Sequence, residues 1–441
     1  MYYAGAYVRD LLRRKKSPNQ TVDILIRGIS FDDLVNKLRS YGLVVEADRR
    51  MGRLRIRNHV SIQIDLPKKE GEYNPNFALK DDARERIFTV NAMYLPMSTK
   101  RKRGVVVDMF NGNHCIKDKK VQTVGKAEKL IKQDPSVIAE AFILASELGY
   151  KLDGNLFHAI KVHCKKINEV SSFLLRKMVV TVVMSQKPSK YIKMLHDTGV
   201  LAEVLPELDL CYGVKQNVKY HKYDVFTHCV MACDAAEPDL LIRLGALLHD
   251  IGKVQSRHEI IKDGKPAVTF YNHEVIGFKL AKRLLRRLGF NEEKVVMPVS
   301  KLVRRHMYNY DPIKWTDAAV RRFIRKMEIT EEDLKTLDTF PVFLVRKADR
   351  AASGNDLSEI SPRQKAFEER IKTLYSQMHE FTIADLDIDG SALMSEFKLR
   401  EGPTIGHILN HLLSLVVENQ IPNDKEALVE EASKYLSNAL K

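Results

Sequence analysis

The hydrophobic pattern of this chain changes near residue 122, and that change limits the fold class more than any other feature. Before it, apolar residues form short runs typical of β-strands, with one stretch of helical spacing at residues 31–41. The β-like runs lie at residues 60–66, 88–93 and 104–110. From about residue 123 the apolar spacing becomes helical and few strands are visible. The sequence therefore predicts an α+β protein, in which a small α/β head precedes a mostly α-helical chain.

The chain has 441 residues, of which 44% are apolar, so it can bury several cores and should divide into domains. The expected regions are a head at 1–122, a helical neck and body at 123–215, a third helical domain at 216–355 and a helical tail at 356–441. Within the third region, residues 259–270 are expected to form a hairpin or loop around an Asp-Gly-Lys-Pro turn at 263–266. A basic run at 100–103 is expected to be a solvated hairpin tip.

The chain is basic, with 72 Lys and Arg against 57 Asp and Glu and a net charge of +15. Such an excess favours a polyanionic partner, above all a nucleic acid, although a basic surface without a partner is the alternative. No apolar run reaches the roughly 18 residues that cross a bilayer, and the first ten residues lack a leader-like apolar core. We therefore expect a cytoplasmic protein without membrane association. The five cysteines contain no C-x-x-C pair, which argues against disulfides and structural zinc.

Histidine and aspartate residues recur along the third region in an order that suits a metal centre. They are His228, the pair His249-Asp250, His273, His306 and Asp349. A divalent metal that activates water needs neutral imidazoles and carboxylates from several elements. His249 and Asp250 directly follow the apolar or small run 244–248, where polar groups are unfavourable unless they are paired or metal-bound. For His228 taken alone, an ordinary helix histidine is the simpler interpretation.

The order H, HD and a later D resembles the HD superfamily of metal-dependent phosphohydrolases. The resemblance implies that His228, His249, Asp250 and Asp349 hold a divalent metal. In members with two metals, two further histidines lie between the HD pair and the last Asp, and His273 and His306 occupy such places. The resemblance also implies that Lys253 lies near the substrate phosphate, so Asp250 and Lys253 are the expected catalytic residues. Whether the metal is Mg²⁺, Mn²⁺ or Ni²⁺ stays open.

Short motifs of a second kind are spread over almost the whole chain. They are Gly5-Ala6-Tyr7-Val8-Arg9-Asp10-Leu11-Leu12, Val22-Asp23-Ile24, Phe88-Thr89-Val90-Asn91-Ala92-Met93, Asp134-Pro135, Leu205-Pro206-Glu207, Asp387-Ile388-Asp389-Gly390 and Gly402-Pro403-Thr404-Ile405-Gly406. Together they resemble the class II tRNA nucleotidyltransferases and bacterial poly(A) polymerases. The resemblance implies a nucleotidyltransferase fold for the head and tRNA as the partner, bound through shape and phosphates. It implies nucleotide-binding positions at Gly5, Arg9, Asp10, Asp23, Asn91 and Asp134.

The head also departs from this family where nucleotide transfer takes place. The Asp-x-Asp pair that holds two metal ions is Thr21-Val22-Asp23 here, and threonine cannot supply the missing charge. Where the family has two glycines near the triphosphate, this chain has Gly5-Ala6. Where the family has Arg-Arg-Asp before Phe-Thr, residues 85–87 are Glu-Arg-Ile. The family's Asp-Pro-x-Arg motif is replaced by Asp-Pro-Ser-Val at residues 134–137. Asp65 could add a carboxylate, or could be a solvated strand-edge residue. We therefore expect a degenerate head with little or no nucleotide transfer.

A basic helical face is expected at residues 276–288, where cations lie between apolar residues at helical spacing. The cations are Lys279, Lys282, Arg283, Arg286 and Arg287. A solvated face without a partner is the simpler interpretation of one such helix. Together with Arg304, Arg305 and the net charge, it suggests an RNA path towards the His-Asp segment.

The favoured hypothesis is an HD-type metal-dependent phosphohydrolase on a tRNA nucleotidyltransferase-like scaffold. It would act on RNA or tRNA ends that carry 2′,3′-cyclic or terminal phosphates. The first alternative is an active CCA-adding or poly(A)-adding tRNA nucleotidyltransferase, in which Asp23 would be essential. The second alternative is a non-catalytic RNA-binding protein. The sequence leaves the oligomeric state open.

Overall fold

The predicted α+β architecture is confirmed by a computed structural model of the chain. The structure describes residues 1–14, 21–57, 61–97, 104–216, 223–262, 265–308, 315–353, 362–378, 382–418 and 420–439. The basic run 100–103 and the turn residues 263 and 264 lie outside this description. Among the helices of the described residues, none combines the length and apolar composition that a membrane-spanning helix requires.

The head is built on a seven-stranded sheet with the order β3-β4-β5-β2-β1-β8-β9. Its strands are β1 (Tyr2–Ala4), β2 (Val22–Leu25), β3 (Val45–Asp48), β4 (Arg53–Arg57), β5 (Ser61–Asp65), β8 (Met93–Pro96) and β9 (Val107–Asp108), and β6 (Lys68–Lys69) pairs separately with β7 (Glu72–Tyr73). The helices are α1 (Gly5–Leu12), α2 (Phe31–Ser40), α3 (Leu79–Glu85) and α4 (Gly112–Lys117). Only the β2–β5 pair of the large sheet is parallel within the described registers.

Alternation along β2, β4 and β5 divides this part of the sheet into an apolar and a polar face. Ile24, Leu54 and Ile64 pack in one cluster with residues of α2, such as Leu34. Because successive strand residues point to opposite faces, the residues between these apolar positions lie on the other face. They are Asp23, Arg53, Arg55, Gln63 and Asp65, which the strand register brings side by side. We call this surface the polar sheet face.

The run at 88–93 was wrongly predicted to be a strand. Phe88 forms a single bridge to Thr123, residues Thr89–Asn91 form a 3₁₀ turn, and β8 begins only at Met93. The tertiary structure overrides β-propensity here, because the Thr89 amide donates to the Gln122 carbonyl and Val90 is fully buried. The helix expected at 31–41 is confirmed as α2, and the run at 60–66 is confirmed as β5.

The chain after the head is helical, as predicted. The neck and body contain α5 (Ala127–Gln133), α6 (Ser136–Leu148), α7 (Gly154–Val162), α8 (Ser172–Val183), α9 (Pro188–Asp197), α10 (Val200–Val204) and α11 (Pro206–Asp209). A short parallel pair joins β10 (Lys120–Val121) to β11 (Lys151–Leu152). One cluster of buried residues extends from Phe88 to Val303, so the head, the neck and part of the next region share a core.

The next region surrounds the His-Asp segment with six α-helices among its described residues. They are α12 (Val225–Ala235), α13 (Leu240–Leu248), α14 (His273–Arg287), α15 (Met297–Arg305), α16 (Asp317–Met327) and α17 (Pro341–Ala352). The hairpin expected at 259–270 is confirmed as β12 (His258–Lys262) paired with β13 (Lys265–Thr269). The described tail contains α18 (Pro362–Met378), α19 (Gly390–Phe397), α20 (Pro403–Val417) and α21 (Lys425–Ala439), and α19 to α21 enclose a core of their own.

Candidate functional site

Six buried side chains from separate elements converge in the third region. We call them the HD cluster: His228, His249, Asp250, His273, His306 and Asp349. The cluster draws on α12, on the segment that follows α13, on the first residue of α14, on the residue after α15, and on α17. The structure thus brings together all the residues for which the sequence predicted metal binding.

One half of the cluster contains His228, His249 and Asp349 with one oxygen of Asp250. The Nε2 atom of His228 lies 2.9 Å from Asp349 Oδ1 and 3.2 Å from His249 Nε2. The Oδ2 atom of Asp250 lies 3.1 Å from His249 Nε2 and 3.7 Å from His228 Nε2. These donor atoms therefore surround one point.

The other half contains His273 and His306 with the second oxygen of Asp250. The Oδ1 atom of Asp250 lies 3.3 Å from His273 Nε2 and 3.7 Å from His306 Nε2. The two imidazole Nε2 atoms are 3.4 Å apart. Asp250 therefore faces both halves, one with each carboxylate oxygen, as a carboxylate shared by two ions would.

Three of the histidines share a backbone contact that orients their rings. The Nδ1 atoms of His249, His273 and His306 each lie 2.7 Å from the carbonyl oxygen three residues earlier in the chain. Because a carbonyl oxygen can only accept, each Nδ1 must carry the proton. The Nε2 lone pair of each ring is then directed into the cluster, which is the arrangement that a metal-binding histidine needs.

The charges in the cluster also suit a divalent metal. Burial alone would raise the pKa of Asp250, but His249 and Lys253 outweigh burial and hold that pKa well below its ordinary value. Burial, together with the neighbouring His249 ring, lowers the pKa of His306 to about 3, so this imidazole stays neutral. Ionised carboxylates and neutral imidazoles are the forms that bind a metal, so Asp250 and His306 are already in those forms. For His249, the nearby Asp250 and Asp349 outweigh burial and raise the pKa, so a bound metal would replace a proton on this ring. The donor atoms of His228, His249 and Asp349 all lie within 4.8 Å of one another, as do those of His249, Asp250 and His306.

A close packing contact at Gly252 fixes the position of the two halves of the HD cluster relative to each other. Gly252 belongs to a 3₁₀ turn, Ile251–Lys253, that lies against the start of α14. A Cβ atom at this position would overlap the carbonyl oxygen of His273 and approach the backbone nitrogen of Gly277. Only glycine therefore allows the turn that follows the HD pair to approach α14 this closely.

The cluster opens into a cavity of about 580 Å³. Lys253 lines it with its Nζ atom 2.6 Å from Asp250 Oδ2 and 2.7 Å from Gln216 Oε1. Helix α17 contributes Arg346 and Arg350, one turn before and one residue after Asp349. The sequence prediction missed Gln216 and both arginines, although the i, i+3, i+4 spacing of polar residues around Asp349 was visible in the sequence.

A second group lies in the head, beside the start of α1. A Cβ atom at Gly5 would lie 3.4 Å from Asp23 Oδ2 and 2.8 Å from Arg86 Nη1, so these three residues are neighbours. The Tyr7 amide donates to the Asp23 carboxylate. Burial, and to a smaller extent the nearby Asp65, raises the pKa of Asp23 to about 6, although Arg86 opposes the rise. The sequence prediction missed Arg86, which Asp82 holds at 3.0 Å.

Asp65 lies near Asp23 on the polar sheet face but has a cation of its own. The register pairs Asp23 with Gln63, two residues before Asp65 on the same face. Arg53 donates to both Asp65 oxygens, at 2.7 and 3.2 Å. Asp23 and Asp65 are therefore close enough to interact electrostatically, whereas Thr21 carries no charge. This donor set fits one divalent ion better than two, because Arg53 already neutralises part of the charge.

The remaining predicted head residues have other contacts. Arg9 donates to Asp10 Oδ1 at 2.9 Å and to Asn91 Oδ1 at 2.8 Å, so these three residues tie α1 to the 3₁₀ turn before β8. Asp134 precedes α6 and accepts from the Ser136 amide at 2.9 Å. The structure therefore brings Gly5 and Asp23 together. Asn91 connects this group to Arg9 and Asp10, because its carbonyl oxygen accepts from Arg86 Nη1 at 3.2 Å and lies beside Gly5.

The predicted basic face on α14 is partly neutralised within the chain. Arg286 pairs with Glu292, and Arg287 donates to both oxygens of Glu207. Arg305 pairs with Glu328. These contacts account for several of the cations without an RNA partner.

Four family models match the chain in succession. They describe a poly(A) polymerase head domain at residues 1–122, an RNA and SrmB-binding site of polymerase A at 149–211, an HD domain at 218–350, and a tRNA nucleotidyltransferase domain 2 at 312–432. The chain is 29% identical over 263 residues to the multifunctional CCA protein of Paraburkholderia phymatum, a match that covers 57% of this chain and 60% of that protein. It is 26% identical over 360 residues to the A-adding tRNA nucleotidyltransferase of Deinococcus radiodurans, covering 79% of this chain and 78% of the relative.

Among solved structures, the Bacillus stearothermophilus CCA-adding enzyme in complex with CTP is similar to this chain with a TM-score of 0.63. The sequences are 20% identical, and the match covers 99% of this chain and 94% of that one. At this identity the likeness shows the fold.

The names of these relatives correct one expectation. The departures around Thr21 led to the prediction that the chain is an HD phosphohydrolase with little or no nucleotide transfer. The relatives are named a multifunctional CCA protein and an A-adding tRNA nucleotidyltransferase, and these names point to nucleotide transfer, contrary to that expectation. The sequence left the role of Asp65 open. In the structure β2 and β5 pair in parallel, and Asp65 lies close enough to Asp23 to add to the effect of burial in raising its pKa.

Proposed function

Since the chain belongs to the class II tRNA nucleotidyltransferases and poly(A) polymerases that carry an HD domain, we propose that it adds nucleotides to the 3′ end of tRNA. Relatives from two bacteria are named for CCA addition and A addition. This chain matches only 60% of the length of the first relative. For that reason the activity, the tRNA substrate and the RNA partner are all proposed here.

The observation that carries this proposal is the position of Asp23. It lies beside Gly5 at the start of α1, faces Arg86, and has Asp65 nearby on the polar sheet face. A divalent ion held by the two carboxylates would stabilise charge on a nucleoside triphosphate. Arg86, fixed by Asp82, keeps a positive charge next to this position. The amides at the start of α1 favour an anion there.

The test is elongation of labelled tRNA that lacks its terminal CCA or terminal A, with Mg²⁺ and nucleoside triphosphates. We expect wild-type protein to lengthen the tRNA, and Asp23→Asn to reduce the rate by at least about 100-fold because the metal loses a ligand. Glu72→Gln, which removes an exposed carboxylate elsewhere in the head, is the matched control and should keep the wild-type rate. Absence of elongation by wild-type protein on both tRNAs would contradict the proposal.

A second function is favoured by the HD cluster: hydrolysis of phosphoester bonds at RNA ends, either 2′,3′-cyclic or terminal phosphates. The supporting observation is that three imidazoles direct Nε2 lone pairs towards ionised carboxylates in a buried site that opens into a cavity. A divalent metal bound there supplies a Lewis acid that polarises a phosphoryl oxygen and activates water.

The chain's own residues would bind and orient the substrate phosphate. Lys253 is held between Asp250 and Gln216, so its charge is fixed at the cavity wall. Arg346 donates to Asp349 Oδ2 at 2.7 Å and lines the same cavity. Both cations would attract a phosphate and hold it against the HD cluster.

The test is opening of a 2′,3′-cyclic phosphate at the end of labelled tRNA, with Mg²⁺, Mn²⁺ or Ni²⁺ supplied separately. We expect Asp250→Ala to reduce hydrolysis by at least about 100-fold, because it removes the carboxylate that faces both halves of the cluster. Glu293→Gln, at an exposed position of the same region, is the control. Unchanged hydrolysis in Asp250→Ala would exclude the HD cluster as its site.

The other assignments are part of the same proposal. RNA, with tRNA as the favoured species, is the proposed partner, the cytoplasm is the proposed location, and the boundaries near 122, 215 and 355 stay predictions. A chain that binds tRNA but neither lengthens nor hydrolyses it would support the remaining alternative, an RNA-binding protein without catalysis.

A further inference from the structure

The polar sheet face carries rows of charged residues that run across the strands of the head. In one row, the register places Asp48 of β3, Arg53 of β4 and Asp65 of β5 side by side. Paired residues of neighbouring strands project from the same face, so Arg53 lies between two carboxylates. This row is next to the one that contains Asp23, because Asp23 pairs with Gln63, two residues before Asp65.

The contacts of Arg53 fix one side of its guanidinium and leave the other side available. Nε donates to Asp65 Oδ1 at 2.7 Å, and Nη2 donates to Asp65 Oδ2 at 3.2 Å. A guanidinium carries five N–H groups in a plane, and this side-on contact does not use those of Nη1. The side chain of Arg53 is 29% exposed, so a ligand on the polar sheet face can reach it. The positive charge is therefore held in place without being enclosed.

The carboxylates around Asp23 are already bonded to other donors. Gln63 Nε2 donates to Asp65 Oδ2 at 3.0 Å, so both oxygens of Asp65 accept N–H groups in addition to its ion pair. Asp82 accepts from Arg86 at 3.0 Å. In the part of the chain that the structure describes, Asp23 is the one carboxylate of this group to which no arginine donates.

These residues do not fit the second of the two metal ions that nucleotide transfer uses in the family. Two divalent ions need several carboxylates whose charge is not otherwise offset. The chain offers Asp23 and an Asp65 that is already paired, and the neutral Thr21 stands where a further carboxylate would be. The donor set therefore suits one ion, and the charge of a second one has to come from elsewhere.

We propose that the guanidinium of Arg53 takes the place of the second metal ion and holds the triphosphate of the incoming nucleotide at the polar sheet face. The proposal rests on the first proposed function, nucleotide addition, and names a further catalytic residue for it. A guanidinium suits this role because it stays charged and binds phosphate oxygens through paired N–H groups. A fixed positive charge stabilises the charge that develops on a transferring phosphate. Thr21 is then compatible with transfer, because no second ion has to be held.

The number of ions in the head can be determined without turnover. The probe is Mn²⁺ with α,β-methylene-ATP, which cannot transfer its nucleotide, and the protein is Asp250→Ala, whose HD cluster lacks the shared carboxylate. Two Mn²⁺ ions about 3.5–4 Å apart couple and change the electron paramagnetic resonance spectrum. We expect an uncoupled spectrum from Asp250→Ala, and a coupled one when Thr21→Asp and Arg53→Gln are added. A coupled spectrum of Asp250→Ala that Asp23→Asn abolishes, or an uncoupled one in the triple variant, would overturn the proposal.

Elongation of tRNA separates a catalytic role of Arg53 from a structural one. We expect Arg53→Gln to lower kcat by at least about 100-fold, and Arg53→Lys, which keeps the charge but loses the paired N–H groups, by about tenfold. KM for the nucleoside triphosphate should change less than kcat, because the charge acts most strongly in the transition state. Arg49→Gln, which breaks an exposed ion pair with Asp32 in the same head, is the matched control and should keep the wild-type rate.

Equal losses in Arg53→Gln and Arg53→Lys, or no loss in either, would overturn the proposal while leaving nucleotide addition intact. If wild-type protein does not lengthen tRNA, the first proposed function fails. The Mn²⁺ spectra then still decide the role of Arg53. A second ion that binds only after Arg53 is replaced would support the proposal, and a second ion bound beside Arg53 would exclude it.

Discussion

The HD cluster and the polar sheet face both collect acidic side chains, but they surround them differently. In the HD cluster, Asp250 has histidines on both oxygens and Lys253 beside it, and all these groups are buried. On the polar sheet face, Asp23 lies near another carboxylate, Asp65, whose own partner is Arg53. The suitability of a site for a metal ion therefore depends on the whole set of neighbours of its carboxylates, more than on the number of carboxylates.

The pKa values express the same difference. The pKa of Asp250 is well below its ordinary value although burial alone would raise it, because His249 and Lys253 favour the charged form. The pKa of Asp23 is raised to about 6, since burial and Asp65 disfavour its charge more than Arg86 favours it. A metal ion would meet a permanently ionised ligand in the HD cluster and a partly protonated one in the head near neutral pH.

Removal of metal should separate the two sites most strongly. After treatment with EDTA, added Mn²⁺ at about 100 times its Kd should stabilise a site by about 2.7 kcal/mol. We expect the Mn²⁺-dependent rise in the thermal unfolding midpoint to be lost in Asp250→Ala and to be mostly kept in Asp23→Asn, because the HD cluster supplies more ligands. An equal loss in the two variants would show that the sites hold metal equally well.

Gly252→Ala should disturb the HD cluster without removing a ligand. The new methyl group would overlap the His273 carbonyl and push α14 away, so divalent metal affinity should fall about 10-fold to 100-fold. Titration with Mn²⁺ followed by calorimetry measures the change. Gly406→Ala is the matched control, because a Cβ atom there meets nothing within 4 Å. Nucleotide addition by the head should be unaffected, and wild-type metal affinity in Gly252→Ala would refute the packing argument.

Thr21→Asp should bring the head closer to the Asp-x-Asp arrangement. The new carboxylate would lie two residues from Asp23, on the same face of the chain as it enters β2. We expect the rate of nucleotide addition at limiting Mg²⁺ to rise several-fold, because the new carboxylate would add about one charge interaction with the metal ion near the surface. Thr21→Asn, which is similar in size but neutral, should have no such effect. Equal rates for the two variants would mean that charge at this position does not limit transfer.

The raised pKa of Asp23 should give the smallest effect, a pH dependence of stability in metal-free protein. The folded-state pKa of about 6 lies above the ordinary value of 3.8, so the folded state binds the proton more tightly than the unfolded state. The contribution of this group to stability is therefore largest at low pH and is lost as the pH rises through 6. Between pH 5 and pH 7.5, the thermal unfolding midpoint should fall more in the wild type than in Asp23→Asn. Parallel changes in both proteins would contradict the assignment.

Much of the fold was visible in the sequence because it depends on local patterns. The helix at α2, the strand β5 and the hairpin of β12 and β13 all follow from spacing and turn residues over fewer than fifteen positions. The strand predicted at 88–93 was wrong because the β-branched and aromatic residues of this run are held by contacts with distant residues such as Gln122. Local propensity is decisive only where the distant contacts agree with it.

In the candidate sites, too, some features follow from the sequence alone and others only from the tertiary structure. The sequence by itself determined which residue types occur and in what order. The H, HD and D pattern named His228, His249, Asp250 and Asp349, and the resemblance to members with two metals added His273 and His306. Only the tertiary structure decided that Asp250 faces both halves, that Asp65 lies near Asp23, and that Arg346, Arg350 and Tyr271 share one cavity. His228 and Asp349 are 121 positions apart and meet because α12 packs against α17. Such distances depend on the packing of whole helices, which no short segment of sequence specifies.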